Sequence, residues 1–137
     1  MIEYNVLDLL PHRDDMLLLD QVFLDGDVAI GKKKFRGDEW FFRGHYPNNP
    51  IVPGVILCEV LGQSACALFK DQLDGRLPYF TGLDKVKFRH PVLPGDEIET
   101  RVECIRSMGN VYFIKADGFV GDTLCVTGQL SFAVVDR

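Results

Sequence analysis

The feature that most constrains the fold is the segment at 54–71, GVILCEVLGQSACALFKD, which contains no proline and almost no charge before Lys70. In a helix its apolar residues would lie on every side rather than along one stripe, and a helix of this kind is buried on every side. Such a helix would be about 27 Å long, nearly the width of a small domain. The rest of the chain must therefore surround it.

The segments on both sides of this helix have the alternation that is typical of strands. Upstream, the segment 16–25 and the run VAIGKKKFRG flank Asp25-Gly26-Asp27, and an Asp-Gly pair between two such runs predicts an antiparallel hairpin. Downstream, polar and apolar residues alternate most clearly in EIETRVEC. Four strands are predicted after the helix, at 79–90, 97–107, 111–120 and 123–135.

About six antiparallel strands, each with one apolar face, and a helix that is apolar all round have few ways to pack together. The sheet must curl around the helix and bury it. The sequence therefore predicts an α+β architecture called the hot-dog fold, a curled antiparallel sheet of about six strands wrapped around one long apolar helix. Because an open sheet has edge strands that need cover, a homodimer is the default expectation.

Length and charge narrow the class of protein. The chain has the length of one domain, so residues 1–137 are expected to form a single domain. A net charge of −5 repels phosphate backbones and anionic lipid, so no nucleic acid and no membrane surface is an expected partner. No apolar run approaches the roughly 18 residues of a membrane span, and the N-terminus lacks the pattern of a secretory signal. We expect a cytoplasmic protein.

The four cysteines do not form a metal or disulfide pattern. On the predicted helix, Cys58 and Cys66 would lie about 12 Å apart, which is too far for a disulfide, and no closely spaced Cys/His pairs indicate zinc. We expect small buried apolar residues at all four positions, Cys58, Cys66, Cys104 and Cys125. Phosphate-binding glycine motifs are absent as well, so neither a metal nor a nucleotide cofactor is expected.

Glu59 is the chemical anomaly of the apolar helix. A buried, unpaired carboxylate is too costly, so such a group either finds polar partners or becomes a protonated acid. The functional interpretation is a proton donor. The structural interpretation is a buried glutamate bonded to Gln63, one helical turn further on, and the residues alone leave both open.

His45 precedes the helix in a segment at 38–53 that prolines and aromatic residues mark as an ordered but irregular loop. Histidine is the side chain best suited to act as a base near neutral pH, although a lone loop histidine is more often half exposed and without function. Pro47, Pro50 and Pro53 stiffen the segment and would present His45 rigidly beside the start of the helix. We therefore keep His45 as a candidate base.

Two further features could contact a substrate. The first-turn N–H groups of the helix lack acceptors, so the Gly54 N–H could hold a carbonyl oxygen on which negative charge develops, unless Pro53-Gly54 is simply a helix start. In KVKFRH at 85–90, basic side chains are predicted on one strand face, and Val86 and Phe88 on the other. This basic stripe, defined as Lys85, Lys87 and Arg89, is either a solvated face or a surface for an acidic partner.

Three stretches together carry a family resemblance: LPHR at 10–13, FFRGHYPNNPIVPGVILCEVLGQSA at 41–65 and LDKVKFRHPVLPGD at 83–96. They resemble the FabZ-type (3R)-hydroxyacyl-[acyl-carrier-protein] dehydratases of bacterial fatty-acid synthesis. The match covers nearly the whole chain, and its most specific element is the register of histidine loop, PxxPG and helix glutamate. The chain departs from the family pattern at Asp14-Asp15-Met16, at Asn48 in the histidine loop and at His90. We expect Asn48, beside the candidate base, to tune the activity and not to abolish it.

The resemblance implies a hot-dog dimer with its active sites at the interface, commonly three dimers in a hexamer, in which His45 of one subunit faces Glu59 of the other. It implies a lyase that dehydrates (3R)-3-hydroxyacyl thioesters to trans-2-enoyl thioesters without a cofactor. His45 would take the C2 proton, the Gly54 N–H would hold the thioester oxygen, and Glu59, supported by Gln63, would protonate the leaving hydroxyl. The partner would be acyl carrier protein with its phosphopantetheine-linked acyl chain, docked on the basic stripe.

Four alternatives stay open from the sequence. His45 could handle both protons while Glu59 only holds the departing water. The enzyme could also isomerise trans-2 to cis-3 enoyl thioesters, although the related isomerising FabA type tends to carry aspartate in place of the helix glutamate. A hot-dog acyl thioesterase would release free carrier thiol. A non-enzymatic module would bind the thioester without turnover.

Overall fold

A computed structural model describes all 137 residues. The strands are β1 (Ile2–Tyr4), β2 (Gln21–Asp25), β3 (Val28–Lys34), β4 (Arg76–Phe88), β5 (Glu97–Met108), β6 (Val111–Val120) and β7 (Thr123–Asp136). The α-helices are α1 (Val6–Leu9), α2 (Trp40–Gly44) and α3 (Gly54–Ala65), and single 3-10 turns cover Asp14–Met16 and Cys66–Phe69.

The seven strands form one antiparallel sheet in the order β1-β2-β3-β5-β6-β7-β4, and α3 packs against β3, β5 and β6. The predicted hot-dog fold is confirmed, with one strand more than expected because β1 is too short to show an alternation. The predicted hairpin is confirmed as well: Asp25 pairs with Val28, and Gly26 takes the positive φ of 61° that glycine tolerates best. No helix is both long and apolar enough to cross a membrane.

Two predictions about the elements around α3 were wrong. The regular helix ends at Ala65 and continues as the 3-10 turn Cys66–Phe69, so it is shorter than the predicted 54–71. The segment at 38–53 is not wholly irregular, since it contains α2, whose Phe41 and Phe42 are buried against Phe35. These aromatic contacts stabilise a five-residue helix that would not form alone.

The sequence predicted a central helix that is buried on every side, and this prediction was wrong. Val55 is 73% exposed, and Glu59 and Gly62 are partly exposed. Their spacing of four and then three residues places them on one face of α3. This face is the part of the helix that the sheet of a single protomer leaves uncovered.

Helix α3 comes unusually close to the sheet where it crosses β3. The Ser64 hydroxyl donates to the carbonyl of Val60 at 2.8 Å and lies 2.6 Å from the hydroxyl of Thr100 on β5. A Cβ atom on Gly31 would collide with both hydroxyl oxygens. The approach is therefore possible only because residue 31 has no side chain.

The two edges of the sheet differ in length and in exposure. The outer strand β1 has three residues, whereas β4 has 13, and β4 pairs only with β7. Tyr79, Phe80, Leu83 and Phe88 on β4 are between 44% and 57% exposed. A long edge strand with exposed apolar side chains is a ready surface for pairing with another chain.

The cysteines follow the prediction in three of four cases. Cys58, Cys66 and Cys125 are buried, but Cys104 is exposed, and all four are free thiols. Residues 103–108 of β5 are exposed on both faces, and the pairing with β6 shifts register after Cys104. The alternation that buries Ile98, Thr100 and Val102 therefore does not extend to Cys104.

Candidate active site

Glu59 lies in the second turn of α3 with 22% of its side chain exposed, and its best-defined partner is Gln63. The buried Gln63 accepts from the N–H of Leu18 at 3.1 Å through Oε1, and its Nε2 donates to the carbonyl of Met16 at 2.7 Å and to Glu59 Oε2 at 3.0 Å. Because a backbone N–H can only donate, the contact with Leu18 fixes which end of the amide faces Glu59. Glu59 therefore receives a hydrogen bond from a side chain that two backbone groups, of Leu18 and Met16, hold in place.

His12 is a second group beside Glu59, and no sequence argument gave it a role. Its Nε2 lies 3.4 Å from Glu59 Oε2. Its Nδ1 is buried and has no hydrogen-bond partner. The only sequence signal for this residue is its place in LPHR at 10–13, within the stretches that carry the resemblance.

A small cavity of about 40 Å³ opens beside Glu59. Its lining comprises His12, Glu59, Gly62, Gln63, Cys66, Pro78, Phe80 and Phe132. Burial, together with the nearby Glu59 carboxylate, raises the pKa of the Cys66 thiol to about 12. Cys66 is therefore a protonated thiol at neutral pH, and it contributes an apolar wall rather than a nucleophile.

His45 caps the C-terminal end of α2, where its N–H donates to the carbonyl of Phe41 at 3.3 Å. Its Nδ1 lies 3.4 Å from the carbonyl of Ile51, and its ring stacks on Tyr46 with centroids 3.9 Å apart. A carbonyl oxygen only accepts, so Nδ1 carries the proton in this contact and Nε2 keeps a free lone pair. That lone pair is what a general base needs.

His45 and Glu59 do not share a cavity within one protomer. His45 borders a groove of about 260 Å³. The groove is lined by Trp40, Phe41, Gly44, His45, Pro53, Val55 and Ile56. None of these residues borders the cavity beside Glu59. The exposed Val55, which lines the groove, lies one turn before Glu59 on the same helix face.

Gly54 is the first residue of α3, after the N-cap Pro53. The Pro53 carbonyl accepts from the N–H groups of Ile56 and Leu57, while a donor at the first helical position has no acceptor within its helix. A Cβ atom on Gly54 would lie 2.8 Å from Cζ of Phe88. The space left by the missing side chain is therefore filled by the ring of Phe88 in the single protomer.

The basic stripe Lys85, Lys87 and Arg89 is exposed along its length, and none of the three forms a salt bridge. The predicted alternation is wrong here: a bulge lies between Asp84 and Lys87, where Lys85 has a φ of 54°. As a result Val86 packs against the core whereas Phe88 is 55% exposed. Because Phe88 touches Gly54, the stripe adjoins the N-terminus of α3.

The structure contains no group of three or more histidine, cysteine, aspartate or glutamate side chains that could hold a metal ion. Within one protomer the structure brings together the side chains of His12, Glu59 and Gln63. His45 and Gly54 lie at the other end of the exposed face of α3.

The chain is similar to one family of proteins over almost all of its length. A family model described as FabA-like domain matches residues 10–129. A protein of Moorella thermoacetica named "3-hydroxyacyl-[acyl-carrier-protein] dehydratase FabZ" is 40% identical over 99% of each chain. A Streptococcus sanguinis protein of the same name is 36% identical over 98% of this chain and 99% of its own.

Two solved structures share the fold. The dehydratase heterocomplex ApeI:P from Xenorhabdus doucetiae superposes with a TM-score of 0.83 at 17% identity, over 98% of this chain and 93% of the other. A probable thioesterase from Bartonella henselae superposes with a TM-score of 0.64 at 11% identity, over 82% of this chain and 93% of the other. At these identities the likeness shows the architecture alone.

Proposed function

Because this chain belongs to the FabA-like family, we propose that it is a 3-hydroxyacyl-[acyl-carrier-protein] dehydratase, a lyase of type II fatty-acid biosynthesis. It converts (3R)-3-hydroxyacyl thioesters of the carrier into trans-2-enoyl thioesters and water. The observation that carries this proposal is the 40% identity to a FabZ dehydratase over 99% of both chains.

The site supplies a base and an acid for this reaction. His45 Nε2 takes a proton from C2, and the electrons of that C–H bond form the C2–C3 double bond. The C3–O bond breaks, and Glu59 donates a proton to the departing hydroxyl, which leaves as water. The Gly54 N–H holds the thioester oxygen while enolate character grows on it, aided by the positive end of the α3 dipole.

The acting form is a homodimer in which His45 of one subunit faces Glu59 of the other. Two observations support it: the two residues border separate cavities, and apolar side chains are exposed along β4 and at Val55. A second copy would cover these side chains and bring the two groups together. Assembly of three such dimers into a hexamer is part of the same proposal.

Acyl carrier protein docks on the basic stripe Lys85, Lys87 and Arg89. Two observations support this: none of the three side chains forms a salt bridge with an acidic residue, and the stripe adjoins Phe88 and Gly54 at the helix N-terminus. An acidic carrier bound there would deliver its phosphopantetheine arm toward the exposed face of α3. The arm would carry the acyl chain into the site between the subunits.

The test is a single incubation of the purified protein with a short (3R)-3-hydroxyacyl carrier thioester, followed by mass spectrometry of the acyl group. We expect the wild type to remove one water, with His45→Ala and Glu59→Gln strongly impaired. Glu103→Gln, an exposed carboxylate on β5, is the matched control and should retain activity. Release of free carrier thiol would indicate a thioesterase, and a cis-3 product would indicate an isomerising enzyme. Binding without any turnover would overturn the proposal.

A further inference from the structure

His12 borders the cavity beside Glu59, and the mechanism above gives it no task. The backbone that carries it is fixed by its neighbour. The Arg13 guanidinium donates to the carbonyls of Leu7, Leu10 and His12 at 2.8, 2.7 and 2.6 Å. The Leu10 side chain anchors the same segment in the core with 2% exposure. The segment therefore presents the His12 ring to α3 from a defined position.

The burial of His12 restricts what its ring can do. Nδ1 has no partner and is sealed from solvent, so His12 cannot contact a substrate through this atom. An orphaned buried N–H is rarer than an orphaned acceptor, so the buried Nδ1 is assigned as the bare nitrogen and Nε2 as the one that carries a proton. The Nε2–H then points toward Glu59 Oε2, 3.4 Å away, and His12 acts only through this carboxyl group.

Both groups beside Glu59 approach the same oxygen. Gln63 donates to Oε2 at 3.0 Å, and His12 Nε2 lies 3.4 Å from it. Oε1 has no hydrogen bond in the structure and is accessible to solvent, and Glu59 borders the cavity. An oxygen that faces two N–H donors is a poor place for a proton. In the carboxylic acid the proton therefore resides on Oε1.

We propose that His12 is a positioning residue for Glu59: with Gln63 it holds Oε2, so that Oε1 carries the proton delivered to the leaving hydroxyl. This inference rests on the proposed dehydration. When Oε1 gives up its proton and water departs, the negative charge of the carboxylate is met at Oε2 by two N–H groups. The 3.4 Å contact shortens in the transition state, as hydrogen bonds of free enzymes commonly do.

The experiment compares three replacements of His12 that differ in reach and polarity. Gln places an amide N–H near the position of Nε2, Asn places it near Nδ1 and too far from Glu59, and Leu fills the space without a donor. Steady-state dehydration of the short hydroxyacyl carrier thioester gives kcat and KM for each variant. Thermal unfolding checks that each variant is folded.

We expect His12→Leu and His12→Asn to lower kcat about tenfold to a hundredfold, the usual cost of losing a group that orients a functional side chain. KM should stay within about threefold, because His12 acts on the acid and not on ground-state binding. His12→Gln should recover most of the lost kcat. If His12→Leu does not fold, the Gln and Asn variants, both polar, carry the test by themselves.

Three results would overturn the inference while the proposed function stands. They are an unchanged kcat in His12→Leu or His12→Asn, an equal loss of kcat in the Gln and Asn variants, and a rise of KM with constant kcat. An inactive wild type would instead overturn the proposed function, and the inference with it.

Discussion

The acid and the base of the proposed site are held in different ways. Glu59 lies on the central helix, and the Gln63 that holds it is bonded to Met16 and Leu18 from a distant part of the chain. His45 follows a five-residue helix in a proline-rich loop, where its ring stacks on Tyr46 and makes one polar contact of 3.4 Å, to the carbonyl of Ile51. The acid is thus positioned within one protomer, whereas the base borders an open groove that a second copy would cover in the proposed dimer.

Removing either group should give the largest effect. Without His45 no lone pair is available to take the C2 proton, and Glu59→Gln leaves an amide that cannot donate a carboxyl proton. We expect the rate constant of the dehydration step to fall by about 10²–10⁴-fold in each variant. Single-turnover assays with the hydroxyacyl carrier thioester measure this, with Glu103→Gln as control. Near-normal turnover by Glu59→Gln would assign both proton transfers to His45.

Mixing the two inactive variants tests whether acid and base come from different subunits. A heterodimer of His45→Ala and Glu59→Gln has one site with both changes and one intact site if each site spans the interface. Co-expressed variants with different affinity tags should then recover about half of the wild-type rate per heterodimer. A double variant carrying both changes, paired with itself, is the negative control. Heterodimers as inactive as their parents would place both groups in one subunit.

Charged substitutions at the two edges of the sheet should lower activity less than removal of His45 or Glu59. Leu83→Asp places a charge on the exposed β4 edge, where it would be buried unpaired by a second copy. We expect a shift to monomer in analytical ultracentrifugation and a loss of activity of at least about tenfold, since an unpaired charge at an interface costs several kcal/mol. Ile2→Asp makes the same change on the β1 edge, where Ile2 is 54% exposed, and should leave assembly unchanged. Equal behaviour of both variants would contradict an interface at β4.

The smallest effect concerns the basic stripe. Lys87→Glu should raise KM for the carrier thioester up to about tenfold at low salt, and the difference should shrink with added salt because exposed charges are screened. Lys115→Glu, the same charge change at an exposed position on β6, is the control. A carrier that binds elsewhere would respond equally to both variants.

The sequence predicted the fold well because its alternation and its apolar helix are local patterns. The strand β6 was predicted at 111–120, and the structure has it at Val111–Val120. The predictions were wrong where tertiary contacts determine the local structure. Helix α2 is stabilised by the aromatic packing of Phe41 and Phe42. The bulge before Lys87 leaves Phe88 exposed. Neither the aromatic packing nor the bulge produces a periodic pattern of apolar residues in the sequence.

The candidate site could be predicted only in part. Glu59 stood out as the one charge in an apolar helix, and its spacing to Gln63 already suggested their contact. His12 lies 47 residues before Glu59 in the sequence, and only the folded chain brings the two together. The exposed face of α3 was missed because hydrophobicity alone does not reveal whether a side chain is covered by its own sheet or by another chain.

The close approach of α3 to β3 has a consequence for accuracy at the active site. Ser64 follows Gln63 directly, and its hydroxyl rests against the backbone of Gly31 through the hydroxyl of Thr100. The height of the helix above the sheet, and with it the place of the Glu59 carboxyl, is therefore set by the absence of one methyl group. A residue without any functional group, Gly31, thus determines where the acid of the proposed site is placed.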